Sequence, residues 1–186
     1  MDRKLLVLDL DETLVHAAPA PLARRPDGEV PPYFVYKRPG LDEFLAFCAR
    51  EFVVAVWTSA SADYAQGVIR AVFPPGYPLE FVLTRERCTW RVDPLSGEEA
   101  WIKDLKKLKR RGYGLGRIIV VEDSPANLAR QYGNVVPVTP FLGDAGDSEL
   151  PLLAGFLGSL RDVDDVRRRE KRDWRRQVAA GTDHGP

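Results

Sequence analysis

The segment from Lys4 to Leu8 is a short apolar run that ends in the acidic residues Asp9 and Asp11. A run of this kind, with polar residues only at its end, predicts a strand buried on both faces of a parallel sheet, its C-terminal edge free for chemistry. The pattern recurs at Phe52–Trp57, followed by Thr58 and Ser59, and at Arg117–Val121, followed by Glu122 and Asp123. Val135–Val138 predicts a fourth short strand, and Tyr33–Lys37 another. Between them the period changes. Leu41, Phe44, Leu45 and Cys48 fall at i, i+3, i+4 and i+7, one helical stripe that opens after Pro39-Gly40. Ala62–Val72 predicts a second helix with Tyr64, Val68 and Val72 on one face, stopped by Pro74-Pro75-Gly76. A helix from Pro125 to about Tyr132 is predicted, with proline in its first turn. Another carries Leu150, Leu153, Phe156, Leu157 and Leu160, capped by Asp147 or Ser148.

Two segments break the alternation. Ala17–Pro32 is rich in proline and alanine and reads as a loop. Phe81–Trp101 reads as a small β excursion: Phe81–Leu83 and Cys88–Val92 as strands, Asp93–Gly97 as a turn, Glu98–Ile102 pairing back. Strands alternating with helices give an α/β fold, a doubly wound, mainly parallel sheet with right-handed crossovers. The organisation expected is one domain over residues 1–160, with a β insertion at about 81–102 and no large cap domain, then a basic C-terminal helix or tail over 161–186.

Composition narrows the function classes. The chain has 186 residues, 45% of them hydrophobic, so a single domain can bury a core. Lys+Arg and Asp+Glu both number 27, and the zero net charge is not that of an electrostatic nucleic-acid binder. No apolar run approaches the roughly 20 residues of a membrane span, and the N-terminus lacks a secretory h-region. Cys48 and Cys88 are too few for a disulfide scaffold, which predicts a reducing, cytoplasmic setting. The tail is charge-dense, with Arg167–Arg169 and Arg175-Arg176 flanking Trp174, and reads as a solvated or frayed terminal helix.

The chemistry lies at the strand ends. In an open α/β sheet the ligand site forms at the C-terminal edge, beside the switch in strand order. Asp9, Asp11, Thr58, Glu122 and Asp123 are all delivered there. Carboxylates packed together repel, and a bound cation relieves them; few oxygen ligands completed by water and phosphate point to Mg²⁺. Lys103 and Thr58 could supply the cation and hydroxyl that a phosphate needs.

These residues carry a resemblance. Asp9-Leu-Asp-Glu-Thr-Leu14 is similar to the DxDxT/V motif of haloacid-dehalogenase-superfamily phosphatases. The chain further resembles the small C-terminal-domain, or NLI-interacting-factor-like, phosphatases through Lys37-Arg-Pro-Gly-Leu-Asp-Glu-Phe-Leu45, Val56-Trp-Thr-Ser59, Arg85-Glu-Arg-Cys88, Lys103-Asp-Leu105 and Glu122-Asp-Ser-Pro125. The resemblance implies an HAD-like fold and a protein phosphoserine or phosphothreonine phosphatase. Asp9 would be the nucleophile and Asp11 the general acid and base, with Thr58 and Lys103 on the phosphoryl group. Mg²⁺ would be held by Asp9, the Asp11 carbonyl and Asp123. Where Glu122 stands the family usually has Asp. The extra methylene gives Glu122 a supporting role, on the metal's water shell or on Lys103, and Thr13 is expected to support the same site.

Plainer readings stand beside these. Thr58 would serve as a helix cap, and the lysines and arginines around Lys103 as a solvated face. His16 and Cys88 are read as structural. Ser59, Trp90 and Trp101 would line a substrate pocket, or the two tryptophans would simply pack across strands. Two other functions compete: a nucleic-acid end phosphatase, which rests on the basic tail, and a phosphoprotein-binding module without turnover, which rests on Glu122.

Overall fold

In a computed structural model the protein is described over residues 3–92 and 99–181. The first apolar run is β1 (Leu5–Leu8), buried throughout. An acidic turn leads into β2 (Val15–Ala18), β3 (Gly28–Val30) and β4 (Tyr33–Lys37), an antiparallel sheet of its own. After Gly40, in the left-handed region, comes α1 (Leu41–Glu51), then β5 (Val53–Trp57), α2 (Ala62–Val72) and β6 (Leu79–Leu83). β7 (Thr89–Val92) and β8 (Glu99–Ile102) form an antiparallel hairpin. The one-turn α3 (Lys106–Lys109) precedes β9 (Ile118–Glu122) and β10 (Val135–Pro137), and the chain closes with α4 (Glu149–Leu160) and α5 (Trp174–Gly181).

The main sheet has the order β10-β9-β1-β5-β6, and every pair in it is parallel. Residues 5–8 of β1 pair with 53–56 of β5 on one side and 118–121 of β9 on the other. The strand order reverses at β1, so the C-terminal ends of β1, β5 and β9 stand side by side at the switch point. Alternate residues go to opposite faces. Leu6, Leu8, Val54, Val56, Ile119 and Val121 pack with residues of α1, α2 and α4. Leu5, Val7, Ala55, Trp57, Ile118 and Val120 pack with Leu105 and Leu108 around α3. Burial on both faces is why these runs are apolar without alternation.

Four expectations are corrected. Phe81–Leu83 belongs to β6 and pairs with β5 in the main sheet, so it is not part of the β excursion. An apolar run reveals burial, not the sheet that accepts it. Ala17–Pro32 is not all loop. Its end β3 lies against α2, where a Cβ on Gly28 would come within 2.8 Å of the Ala71 Cβ. The segment after Pro125 makes short 3₁₀ turns at Pro125–Leu128 and Tyr132–Asn134 instead of a helix. The Asn127 carbonyl accepts from the Lys103 N–H (2.7 Å) and so is taken from helical use. The tail is not frayed up to residue 181. Trp174 is fully buried, its ring 5.7 Å from Phe156 and its Nε1 donating to the Pro137 carbonyl (2.7 Å). Lys171 Nζ donates to the carbonyls of Gly133, Val166 and Arg169. One aromatic anchor holds a segment whose average composition is that of a solvated arm. The Asp93–Gly97 turn lies outside the described residues. Among those described, no helix is long and apolar enough to cross a membrane, and Cys48 and Cys88 are both free.

Candidate active site

Asp9 caps β1 and is 6% exposed. Lys103, fully buried between β8 and α3, brings Nζ to 2.8 Å from Asp9 Oδ1 and 2.6 Å from Glu122 Oε2. Among the described residues the buried Asp9 Oδ1 has this ammonium as its one polar partner. Glu122 ends β9 with no exposed surface, and its Oε1 accepts from Asn127 Nδ2 (3.2 Å). Asn127 therefore grips Glu122 by its side chain and Lys103 by its carbonyl. Asp123 follows, partly exposed. Asp9, Glu122 and Asp123 each offer an oxygen within 4.8 Å of the others.

One ammonium thus faces three carboxylates with little water. Burial raises the Glu122 carboxyl above its ordinary range, and Asp9 adds to this while Lys103 opposes it. Burial and then Asp9 also raise Asp123, against a hydrogen bond from Ser124. Burial alone would lower Lys103, but the charges of Asp9 and Glu122 prevail and hold it protonated. A hard divalent cation fits this donor set: oxygens only, three carboxylates against one ammonium, and a buried Asp9 oxygen whose one polar partner is that ammonium.

Asp11 sits beyond the end of β1. Its Oδ1 accepts from the Tyr64 hydroxyl at 2.6 Å. Its carboxyl is raised to about 6, by burial first and by Asp9, Glu12 and Asp123 as well, with Tyr64 opposing. Glu12 next to it has φ 56°, a strained value for a residue with a side chain. The neighbouring chain holds that turn: Glu12 N–H donates to the Val15 carbonyl (2.8 Å) and its carbonyl accepts from Phe141 N–H (2.7 Å). Thr13 Oγ1 accepts from the Asp123 N–H at 3.2 Å, bringing the β1 and β9 loops together.

Thr58, at the end of β5, is 1% exposed. Its Oγ1 accepts from Ala60 N–H (3.1 Å), as a cap would, which leaves its O–H free to donate. Ser59 contributes its carbonyl to Arg85 Nε (2.7 Å), and the Arg85 guanidinium lies 5.3 Å over the Trp101 ring. Trp90 and Trp101 are directly opposed across the hairpin, with Trp90 52% exposed. Cys88 Sγ is 3.8 Å from the Thr58 carbonyl, and burial raises its thiol, so it is not an activated nucleophile. His16 Nδ1 lies 2.9 Å from Glu12, outside the carboxylate cluster.

Two residues of the site escape the sequence. Tyr64 reads as part of an apolar stripe; the only signal is that a tyrosine one turn into a helix following β5 carries a hydroxyl near the strand ends. Asn127 gives no signal, because its two bonds depend on the tertiary fold. A cleft of about 470 Å³ lies between Pro125–Pro137 and Arg167–Arg172 and includes none of the clustered carboxylates.

A model of the family described as NLI interacting factor-like phosphatase matches residues 4–167. The chain belongs to this family. Among its relatives, a probable C-terminal domain small phosphatase of Dictyostelium discoideum is 34% identical over 172 residues, covering 88% of this chain and 53% of that protein. A human CTD small phosphatase-like protein is 33% identical over 171 residues, 88% of this chain and 58% of the other. The phosphatase Herzog of Drosophila melanogaster is 34% identical, 89% and 46% respectively. This NLI interacting factor-like chain thus spans about half the length of these relatives. The solved structure of Fcp1, an RNA polymerase II CTD phosphatase, shares the fold with a TM-score of 0.58 at 19% identity, covering 97% of this chain and 62% of that one. The mainly parallel HAD-like sheet with small antiparallel hairpins is common to both.

Proposed function

We propose that this chain is a Mg²⁺-dependent phosphomonoester hydrolase that removes phosphate from phosphoserine or phosphothreonine in proteins through an aspartyl-phosphate. The observation that carries this reading is the position of Asp9: at the switch point, against Lys103, two residues before a carboxyl raised to about 6. Asp9 attacks phosphorus in line, its oxygen forming the new P–O bond as the bond to the leaving oxygen breaks. Asp11 in its acid form gives that oxygen a proton. As a carboxylate it then takes a proton from water, which attacks phosphorus, frees phosphate and restores Asp9. Lys103 and the free O–H of Thr58 bind the phosphoryl oxygens and balance their charge. Asp9, Asp123 and the Asp11 carbonyl would hold Mg²⁺ with Glu122 beside them, and the bound ion supplies the charge cancellation that lets a carboxylate approach a phosphate dianion.

A protein substrate is supported by family membership and by the small size of the excursions near the strand ends among the described residues, the β2–β4 sheet and the β7–β8 hairpin, with Trp90 exposed on the latter. Trp90, Trp101 and Ser59 are proposed to border the bound segment. The two free cysteines support a reducing, cytoplasmic setting. The nucleic-acid reading is less supported, since three arginines of the tail on which it rests, Arg167, Arg172 and Arg175, pair with Asp165, Glu170 and Glu149. The binding-module reading is disfavoured by Glu122 itself, which bonds Lys103 without displacing it from Asp9. The test is hydrolysis of an aryl phosphate with Mg²⁺. Activity lost in Asp9→Asn and on addition of EDTA supports the scheme, and full activity in either case rejects it.

A further inference from the structure

Residues 106–111 contain Lys106, Lys107, Lys109, Arg110 and Arg111 and no acid, in a chain whose net charge is zero. The fold adds Arg87 from the turn between β6 and β7. Arg87, Lys107, Arg110 and Arg111 line a cleft of about 290 Å³ with Leu83, and among the described residues no carboxylate lines it. Among the described residues none of these four side chains makes an ion pair, so like charges are brought together with little compensation, which costs stability. Arg167 and Arg172 of the tail, by contrast, have acidic partners at 2.6 Å (Asp165) and 2.7 Å (Glu170).

The cations of the cleft are held but not neutralised. Lys107 Nζ donates to the Arg87 carbonyl (2.7 Å) and Thr89 Oγ1 (3.2 Å), so its ammonium is fixed with a third N–H left over. The Arg111 guanidinium lies 5.1 Å over the Phe81 ring. The side chains of Arg87 and Arg110 make no ion pair or hydrogen bond among the described residues. The cleft adjoins the catalytic edge. The carbonyl of Leu83, on its wall, accepts from the Thr58 N–H (2.9 Å). Cys88 stands between, near enough for its thiol to feel Asp9, Lys103 and Lys107 alike.

We propose that this cleft is an accessory phosphate site, which binds a second phosphorylated side chain of the protein whose first phosphate is at Asp9. A phosphate monoester carries nearly two charges and three acceptor oxygens, which matches converging guanidinium and ammonium donors better than a single carboxylate does. The inference rests on the phosphatase reading above and narrows it to multiply phosphorylated segments.

The test uses synthetic peptides of one sequence carrying one phosphoserine, two at varied spacing, or one phosphoserine with aspartate in the second place. At low salt, wild type is expected to favour a doubly phosphorylated peptide in kcat/KM by about tenfold. The exposed substitution Arg110→Glu, and the double substitution Arg87→Ala with Arg110→Ala, should erase that preference while aryl phosphate turnover stays within about twofold of wild type. No preference in wild type, or a preference that survives both variants, overturns the proposal. Equal gain from aspartate overturns it in favour of a general acidic subsite, and suppression by an unphosphorylated oligonucleotide overturns it in favour of a nucleic-acid surface. Anisotropy of a labelled doubly phosphorylated peptide, wild type against Arg110→Glu, reads the cleft without turnover. If aryl phosphate is not hydrolysed but this binding difference persists, the phosphatase reading fails and the anion site stands.

Discussion

Arg38 and Lys103 are both cations with 1% exposed surface or less, and their surroundings are opposite. Arg38 faces one acid: Nε and Nη2 bond the two oxygens of Asp147 at 2.9 and 2.8 Å. Its other donors go to the carbonyls of Thr13 (3.0 Å) and Thr139 (2.9 Å). Charges cancel and the planar fork is matched. Burial alone would raise the Asp147 carboxyl, but Arg38 and the Glu149 N–H outweigh it and hold it below the ordinary range. Lys103 faces three carboxylates, two of them raised and the third with a buried oxygen held by this one ammonium. A balanced network fixes shape; an under-compensated one keeps an attraction for an ion or a reacting group. The two are joined. Arg38 holds the Thr13 carbonyl, and the Thr13 hydroxyl holds Asp123. The neutral network thus sets the geometry of the charged one.

The largest effect that would test this contrast is at Lys103. Lys103→Met should lower turnover at least 10²–10³-fold, the scale of one lost charge-stabilising donor. It should also destabilise the protein by about 3–5 kcal/mol at pH 8, where the carboxylates are left unpaired. The stability cost should shrink toward pH 5, where raised carboxyls take up protons. Equal melting temperatures of variant and wild type at pH 8 would break the contrast. Arg38→Met should cost a similar 3–5 kcal/mol, on the order of 10 °C in Tm, by leaving Asp147 and two carbonyls without their donor. That cost should shrink less toward pH 5 than the Lys103 cost, because Asp147 is only partly buried and keeps its hydrogen bond from the Glu149 N–H.

The parts of this contrast that can be read in the sequence are the ones fixed by local pattern. Strands buried on both faces must be apolar without a break, so β1, β5 and β9 and the polar residues at their ends stand out. Helical stripes locate α1, α2 and α4 for the same reason. Period gives a face but not a partner: β6 reads equally well as a hairpin strand. A hydroxyl at the rim of an apolar stripe looks like core, which hides Tyr64. Arg38 reads only as part of a resemblance, since its four hydrogen bonds reach up to 109 residues along the chain. Trp174 is masked by the charges around it. The position of Lys103 among its basic neighbours is singled out by the family motif, not by physics visible in the run.

Metal addition sharpens the contrast at a smaller scale. At a hundredfold excess over its Kd, Mg²⁺ should stabilise wild type by about 2.7 kcal/mol, since the unfolded chain has no clustered carboxylates. Arg38→Met, if still folded, should show a reduced response through the displaced Thr13. Asp123→Asn should show almost none. A full Mg²⁺ response in Asp123→Asn, measured by thermal melting, would move the cation away from this cluster.

The smallest effect separates the two networks by the sign of their pH dependence. The Asp11 carboxyl is raised from 3.8 to about 6, chiefly by burial. The native state therefore holds this proton more tightly than the unfolded chain. The stability it contributes is complete below pH 3.8 and is lost as pH rises through 6. At about 1.4 kcal/mol per pKa unit, discounted for partial exposure, the loss is about 1–2 kcal/mol. Asp11→Asn does not titrate and keeps an oxygen for the Tyr64 hydroxyl. In EDTA it should gain about 1–2 kcal/mol on wild type between pH 4 and pH 7.5 in urea unfolding, although it cannot supply the proton that turnover needs. Asp147 has the opposite slope. Its lowered carboxyl contributes stability above the unfolded value, and that stability is lost as pH falls below about 4. Asp147→Asn should flatten the acid limb that Asp11→Asn leaves intact. If both substitutions shifted stability in the same direction across that range, Arg38 and Lys103 would not sit in networks of opposite balance.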